Sequence, residues 1–217
     1  MEALNTIERV AAKIAPGRLH SFAEAHVVKA LEEIDIQQPV GRMKLSKDLH
    51  LGEGEARTLV RHLKKEGLID VSQSGITLSN AGKKLLSSLR TYISKEIDVP
   101  STPLTVGPFN IAVRVAGMKD SVKYGLEQRD AAILAGAKGA TTLVFTKNRL
   151  TMPGAEEDIS KSDPSLLAKL SNLSLKEGDV LVIGSGEEKI RAELGALSAA
   201  LELLKSKDKR NSNRGGA

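Results

Sequence analysis

Hydrophobic positions along the first hundred residues recur mostly at helical spacing. In residues 5–14 (NTIERVAAKI), Ile7, Val10, Ala11 and Ile14 share one face of a helix that Pro16-Gly17 ends. Ser21, with Glu24 three residues on, reads as a capping box. From there Phe22, Ala25, Val28 (or Val27), Leu31 and Ile34 form a second apolar stripe, broken at Gln37-Gln38-Pro39. Arg42 to Leu45 reads as a short strand able to pair with a later hairpin. Ser46 reads as the cap of a short helix, Lys47 to His50, with Gly52 and Gly54 bracketing the turn that follows. The next helix spans Glu53 to Glu66 and stops at Gly67. Its wheel turns Ala56, Leu59, Val60 and Leu63 inward and Thr58, Arg61, His62 and Lys65 outward, with Arg57 and Lys64 on one flank. Leu68–Val71 and Gly75–Leu78 then alternate as two strands around a tip at Ser72–Gly75, and Ser79 caps a helix carrying Leu85, Leu86, Leu89, Tyr92 and Ile93.

Short helix, turn, basic helix and hairpin is the order of a winged helix-turn-helix, whose second helix lies in a DNA groove. The module is expected to fill residues 1–98. Pro100, Pro103 and Gly107-Pro108 make residues 99–108 a linker.

Beyond the linker the period changes. Phe109 to Val115 alternates as a half-buried strand, and Leu126 to Ala137 is a helix with Ala131, Leu134 and Ala135 inward. Strands follow at Thr141–Phe145 and Arg149–Met152, then a helix over Ser165–Leu173 opened by Asp163-Pro164. Asp179 to Gly184 is the strongest strand, and a helix from Glu187 to Leu204 closes the domain. The fold class expected is α+β: a winged helix-turn-helix followed by a two-layer α/β domain at 109–204, with a mixed or antiparallel sheet covered by helices on one face. That second domain is read as a sensor or dimerisation domain. Residues 205–217 have no apolar anchor and are expected to be a disordered basic tail.

Charge sharpens the contrast. Residues 1–98 carry 15 Lys/Arg against 13 Asp/Glu, residues 99–204 carry 12 against 13, and the tail carries 5 against 1. The basic surface is local, as a docking module requires. With no cysteine and no histidine after His62, the second half has no Ser-His or Cys-His triad and no ordinary histidine metal site. No catalytic residue, metal or cofactor is assigned. The absence of a signal peptide or of a long apolar run makes cytoplasm the default expectation.

On the basic helix, Arg57, Thr58 and Arg61 are placed nearest base edges, since Arg pairs bidentately with guanine O6 and N7. Lys44, Lys47, Lys64 and Lys65 are placed on phosphates, with Ser72, Gln73 and Ser74 as the tip of the wing. Glu53 and Glu55 sit awkwardly among them. A merely solvated basic face is the alternative. In the second half, Gly184-Ser185-Gly186 reads either as an anion cradle between strand and helix or as a tight turn. Lys119, Asp120, Gln128 and Arg129 form a second polar cluster, open to a small anionic ligand or to ordinary salt bridging.

The segments ERVAAKIAPGRLHSFAEAHVVKAL, PVGRMKLSKDLHLGEGEARTLVRHLKKEGLI and GLEQRDAAILAGAKGATTLVF resemble an archaeal family in which a winged helix precedes a domain of unknown function. The resemblance covers most of residues 5–204 and implies a transcriptional regulator. It carries no ligand or catalytic residue. The partners expected are double-stranded DNA and a second copy of the chain. Leu194, Leu197, Leu201 and Leu204 are read as either a dimer surface or a core face. RNA binding is the alternative function, weakened by an aromatic content of 2% that leaves little for base stacking. A small-molecule enzyme in the second domain ranks last.

Overall fold

The computed structural model describes residues 2–12, 22–155, 158–162 and 164–214. The caps assigned to Ser21 and Asp163, and the break at Pro16-Gly17, lie outside them. The chain divides into two compact units, residues 1–89 and 90–217.

The first unit is helical with one hairpin: α1 (Glu2–Ala11), α2 (Glu24–Gln37), α3 (Arg42–Asp48), α4 (Glu53–Lys65), β1 (Ile69–Ser72), β2 (Gly75–Leu78) and α5 (Asn80–Arg90). Its core gathers Ile7 and Val10 of α1, Leu31 and Ile34 of α2, Leu45 of α3, and Leu59 and Leu63 of α4, each 0% exposed. At the head of α2 the Ala23 N–H donates to His26 Nδ1 at 3.1 Å, so a buried histidine satisfies one of the free amides of that terminus. The stretch from Arg42 is helical, and this corrects the expected strand. Val40, just before it, is the residue that pairs with the hairpin, exchanging both backbone hydrogen bonds with Ile76 at 3.0 and 2.9 Å. The residues that follow, Arg-Met-Lys-Leu, all favour helix. Ser46 likewise lies inside α3, buried, rather than at its start. Ser79 does cap α5: its Oγ accepts from the Gly82 N–H at 3.1 Å.

The second unit is built on a five-stranded sheet in which every pairing is antiparallel. Its order is β3 (Ile97–Asp98), β4 (Phe109–Val115), β7 (Val180–Gly186), β5 (Gly139–Thr146) and β6 (Arg149–Thr151). Since β3 already pairs with β4 and Ile93 bridges Val115, the sheet begins before the expected linker. One face is covered by α6 (Leu126–Leu134) and α9 (Lys189–Arg214). The other is covered by α7 (Ile159–Ser162), α8 (Pro164–Leu170) and the 3₁₀ turn Ser171–Leu173, whose Ile159, Leu166, Leu170 and Leu173 pack with Ala112, Leu143, Leu181 and Ile183. The expectation of helices on one sheet face is thereby corrected. Central β7 is buried at every residue, and a strand apolar on both sides needs cover on both.

Two helices also differ from expectation. On α6 the inward residues are Gln128 and Ala132; of those expected inward, Ala135 just past its end is buried and Ala131 half-buried, while Leu134 is exposed. On α9, Leu194, Leu197, Leu201 and Leu204 are all core, which decides between the two readings of them in favour of the core face over a dimer surface. The same helix continues to Arg214, so residues 205–214 extend it in place of the expected disorder.

Candidate nucleic-acid interface

The interface is built on the turn between α3 and α4. Leu45, Leu49 and Leu51 are buried and anchor the chain on both sides of it. Ser46 Oγ donates to the Leu51 carbonyl at 2.7 Å and the Leu51 N–H donates to the Ser46 carbonyl at 3.0 Å. His50 takes a left-handed conformation (φ 51°), held between these bonds. A turn with its polar groups paired internally fixes the angle at which α4 leaves it.

On α4, Ala56, Leu59 and Leu63 are buried as the wheel predicts, and Val60 is half-buried. His62 departs from the prediction, being 2% exposed and not on the outer face. Its Nδ1 lies 2.8 Å from the Val10 carbonyl oxygen, and its ring meets Phe22 edge-on at 5.9 Å. Packing of α1 and of Phe22, which precedes α2, against α4 turns a position that looks polar on a wheel into core. The outer face that remains consists of Arg57, Arg61, Lys64 and Lys65, all exposed. Among the described residues these four cations make no ion pair or side-chain hydrogen bond, which leaves their donors open to a partner. Thr58 is half-exposed and its hydroxyl donates back to the Gly54 carbonyl at 3.0 Å. It can still accept, but its proton is engaged.

The two awkward glutamates separate. The Gly52 N–H donates to Glu55 Oε2 at 3.1 Å, so Glu55 is folded back onto the start of its own helix. Glu53 is exposed and carries the remaining negative charge at the entry of α4.

Lys44 and Lys47 are exposed on α3, but Lys44 is held by Asp48 at 3.1 Å while Lys47 has no ion pair among the described residues. Arg42 is also exposed, in the first turn of α3. The pattern of residues hides it, because a strand over that stretch would give it no place beside α4. At the hairpin tip Ser72 and Ser74 hydroxyls lie 2.7 Å apart, and Ser72 Oγ also donates to the Gly75 carbonyl at 3.2 Å, with Gln73 exposed between them.

The ligand candidates of the second unit fall on β7, on α6 and on the 3₁₀ turn Lys119–Ser121. Gly184, Ser185 and Gly186 lie within β7, not in a turn after it. A Cβ on Gly184 would stand 2.4 Å from both the Ala192 carbonyl oxygen and the Ala196 nitrogen, so α9 rests directly on the strand where a cradle would need open space. Ser185 Oγ donates to Asn110 Oδ1 at 2.6 Å in the interior. On α6, Gln128 is buried while Arg129 is exposed and doubly bonded to Asp130 Oδ1 at 3.1 and 2.9 Å. Lys119 Nζ donates to Thr146 Oγ1 at 3.3 Å, and Asp120 is exposed. Beside that pair, Thr146 Oγ1 (2.6 Å) and the Lys147 N–H (2.7 Å) both donate to Glu177. These bonds, helped by the Lys119 and Lys147 charges, hold the Glu177 carboxyl below its ordinary pKa. Among the described residues no group of three or more His, Cys, Asp or Glu side chains is placed to hold a metal. No described helix is long and apolar enough to cross a membrane.

An exposed basic helix set by an internally bonded turn, in the first of the two units, is the geometry of a candidate nucleic-acid interface. Comparison with known proteins gives the kind. Residues 27–93 match the family model of the CggR N-terminal DNA binding domain, and residues 106–203 match a domain of unknown function, DUF4443. The chain thus joins an N-terminal DNA-binding domain like that of CggR to a C-terminal DUF4443 domain. The central glycolytic genes regulator of Priestia megaterium is 27% identical over 184 residues, which cover 83% of this chain and 51% of that protein. Its counterpart from Bacillus subtilis is 39% identical over 106 residues, 49% of this chain and 26% of that protein. The chain therefore spans about half the length of the first and a quarter of the second. Among solved structures, the hypothetical protein PH0730 from Pyrococcus horikoshii OT3 superposes with a TM-score of 0.67 at 26% identity, over 85% of this chain and 99% of that one.

Proposed function

We propose that this chain is a transcriptional regulator whose first unit works as a winged helix-turn-helix, laying α4 in the major groove of duplex DNA. The observation that carries the reading is the division of α4: Ala56, Leu59, His62 and Leu63 are buried, and the opposite side presents Arg57, Arg61, Lys64 and Lys65 without intramolecular partners among the described residues. The match of residues 27–93 to a DNA-binding domain, and the likeness to two regulators of glycolytic genes, support it. Arg57 and Arg61 read base edges; Lys47, Lys64, Lys65 and Arg42 neutralise phosphates; Gln73 at the hairpin tip touches the flanking backbone.

The chain acts in two copies, each presenting α4 to one half-site about one helical turn from the other. The second unit then serves association or sensing of a ligand, without catalysis. Fluorescence anisotropy with a pool of labelled duplexes, followed by selection of the tightest binders, tests the reading. Enrichment of a two-fold-symmetric sequence is expected. Equal affinity for all duplexes, or a preference for structured RNA at equal salt, would refute it.

A further inference from the structure

The outer side of α6 exposes three large apolar side chains, at its two ends, on either side of a charged centre. Leu134 is 88% exposed, Leu126 50% and Ile133 48%, with Tyr124 just before the helix at 73%. Leu126, Ile133 and Leu134 stand at i, i+7 and i+8, so they share one face, and Asp130 at i+4 sits between its two ends. The inner face is already supplied by Gln128 and Ala132, so the core of the unit does not use these side chains. Exposed apolar stripes of this kind on a soluble protein mark an interaction surface.

The charges identify the occupant. At the centre of the stripe Arg129 and Asp130 are both exposed and bonded to each other, a neutral pair with one group of each sign. Lys123 and Glu127 flank it with the same balance. A nucleic acid or a strongly acidic or basic protein would meet an unmatched charge here. A second copy of the same face would not. When two α6 helices run antiparallel about a two-fold axis at Asp130, Leu126 of each copy lies opposite Leu134 of the other. Arg129 of each then reaches Asp130 across the axis, as a self-complementary interface requires.

We propose that the outer face of α6 is the surface through which two copies of this chain associate. The inference rests on the reading that the chain works in two copies, and it supplies the surface that α9, buried in the core, does not. Sedimentation equilibrium of the full chain without DNA, from micromolar to high micromolar concentration, tests it. The wild type is expected to approach twice the monomer mass, and Leu134→Glu to abolish that twofold increase while keeping its circular dichroism spectrum and melting profile. Arg129→Asp and Asp130→Arg should each weaken association alone, and an equimolar mixture of the two should restore it. That rescue arises only if the two residues meet across copies. A wild type that stays monomeric, a Leu134→Glu chain that still doubles its mass, or a mixture no tighter than its components would overturn the proposal. Because no DNA is present, these results stand whether or not α4 binds DNA. Leu134→Glu is expected to leave affinity for an isolated half-site unchanged, and affinity for a paired site should drop by about tenfold or more as avidity disappears.

Discussion

His62 Nδ1 lies 2.8 Å from the carbonyl oxygen of Val10, which ties the last turn of α4 to the end of α1 across 52 positions of sequence. Arg9 reinforces the same junction one turn on, pairing with Glu66 at 3.1 Å. The basic helix is thus braced from behind, and its outer side chains project from a fixed support. Replacing His62 by Leu leaves the buried Val10 carbonyl without this partner and should destabilise the first unit by about 1–3 kcal/mol. Asn, whose amide can stand near the Nδ1 position, should recover part of that stability. Urea denaturation of the three chains measures both effects, and equal stability for Leu and Asn would show that the hydrogen bond contributes nothing.

Glu53 and Glu55 have neighbouring places and different jobs. Glu55→Ala removes the bond from the Gly52 N–H and should cost about 0.5–1 kcal/mol of stability. Glu53→Ala changes an exposed side chain and should be close to neutral in stability, while DNA affinity rises as a negative charge leaves the entry of α4. Thermal melts paired with anisotropy titrations separate the two.

Gly184 marks where α9 lies on the sheet. A Cβ there would meet backbone atoms of Ala192 and Ala196 at 2.4 Å, and backbone on a packed helix cannot step aside as a flexible side chain would. Gly184→Ala should therefore destabilise the second unit by about 3 kcal/mol or more, at or beyond the usual range for overpacking. Calorimetry of the full chain should show the transition of that unit fall while that of the first unit holds. An unchanged melt would mean that α9 does not sit this close.

Glu177 gives the second unit a dependence on acid. Its folded pKa is lowered, first by the Thr146 hydroxyl and then by the Lys147 amide, so its contribution is fully present above the ordinary carboxylate value of 4.5. The contribution disappears as pH falls through the lower, folded value. The group is solvent-exposed and the effect is small. Glu177→Gln should be less stable than wild type at neutral pH, and the gap should close in strong acid. A gap that persists unchanged in acid would assign the effect to packing rather than charge.

These positions also mark how much of the fold is legible in the residues alone. The stripe Ala56, Leu59 and Leu63 is legible because one helix period carries it, and Ser79 because a cap is a local rule. The burial of His62 is not, since a wheel has two sides and this helix is packed on parts of three. Leu134 points inward on any reading that buries leucines first; its exposure is information only the fold supplies. Gly184-Ser185-Gly186 is ambiguous in principle. Glycines that let a backbone curl around an anion and glycines that let a helix lie on a strand are the same letters, and only the partner distinguishes them. The cations of α4 follow from residue type and period, whereas Arg42 comes into view only once its stretch is known to be helical.

The sharpest test is duplex DNA binding by the chain carrying Arg57→Ala and Arg61→Ala together, titrated at several salt concentrations beside the wild type. If α4 reads DNA through these residues, preference for the selected sequence should collapse by about 1–3 kcal/mol for each arginine–base pairing removed. The plot of log affinity against log salt should flatten by about 0.9 for each phosphate no longer neutralised. Binding that keeps both its sequence preference and its salt dependence after the double substitution would contradict the assignment of α4 as the recognition helix.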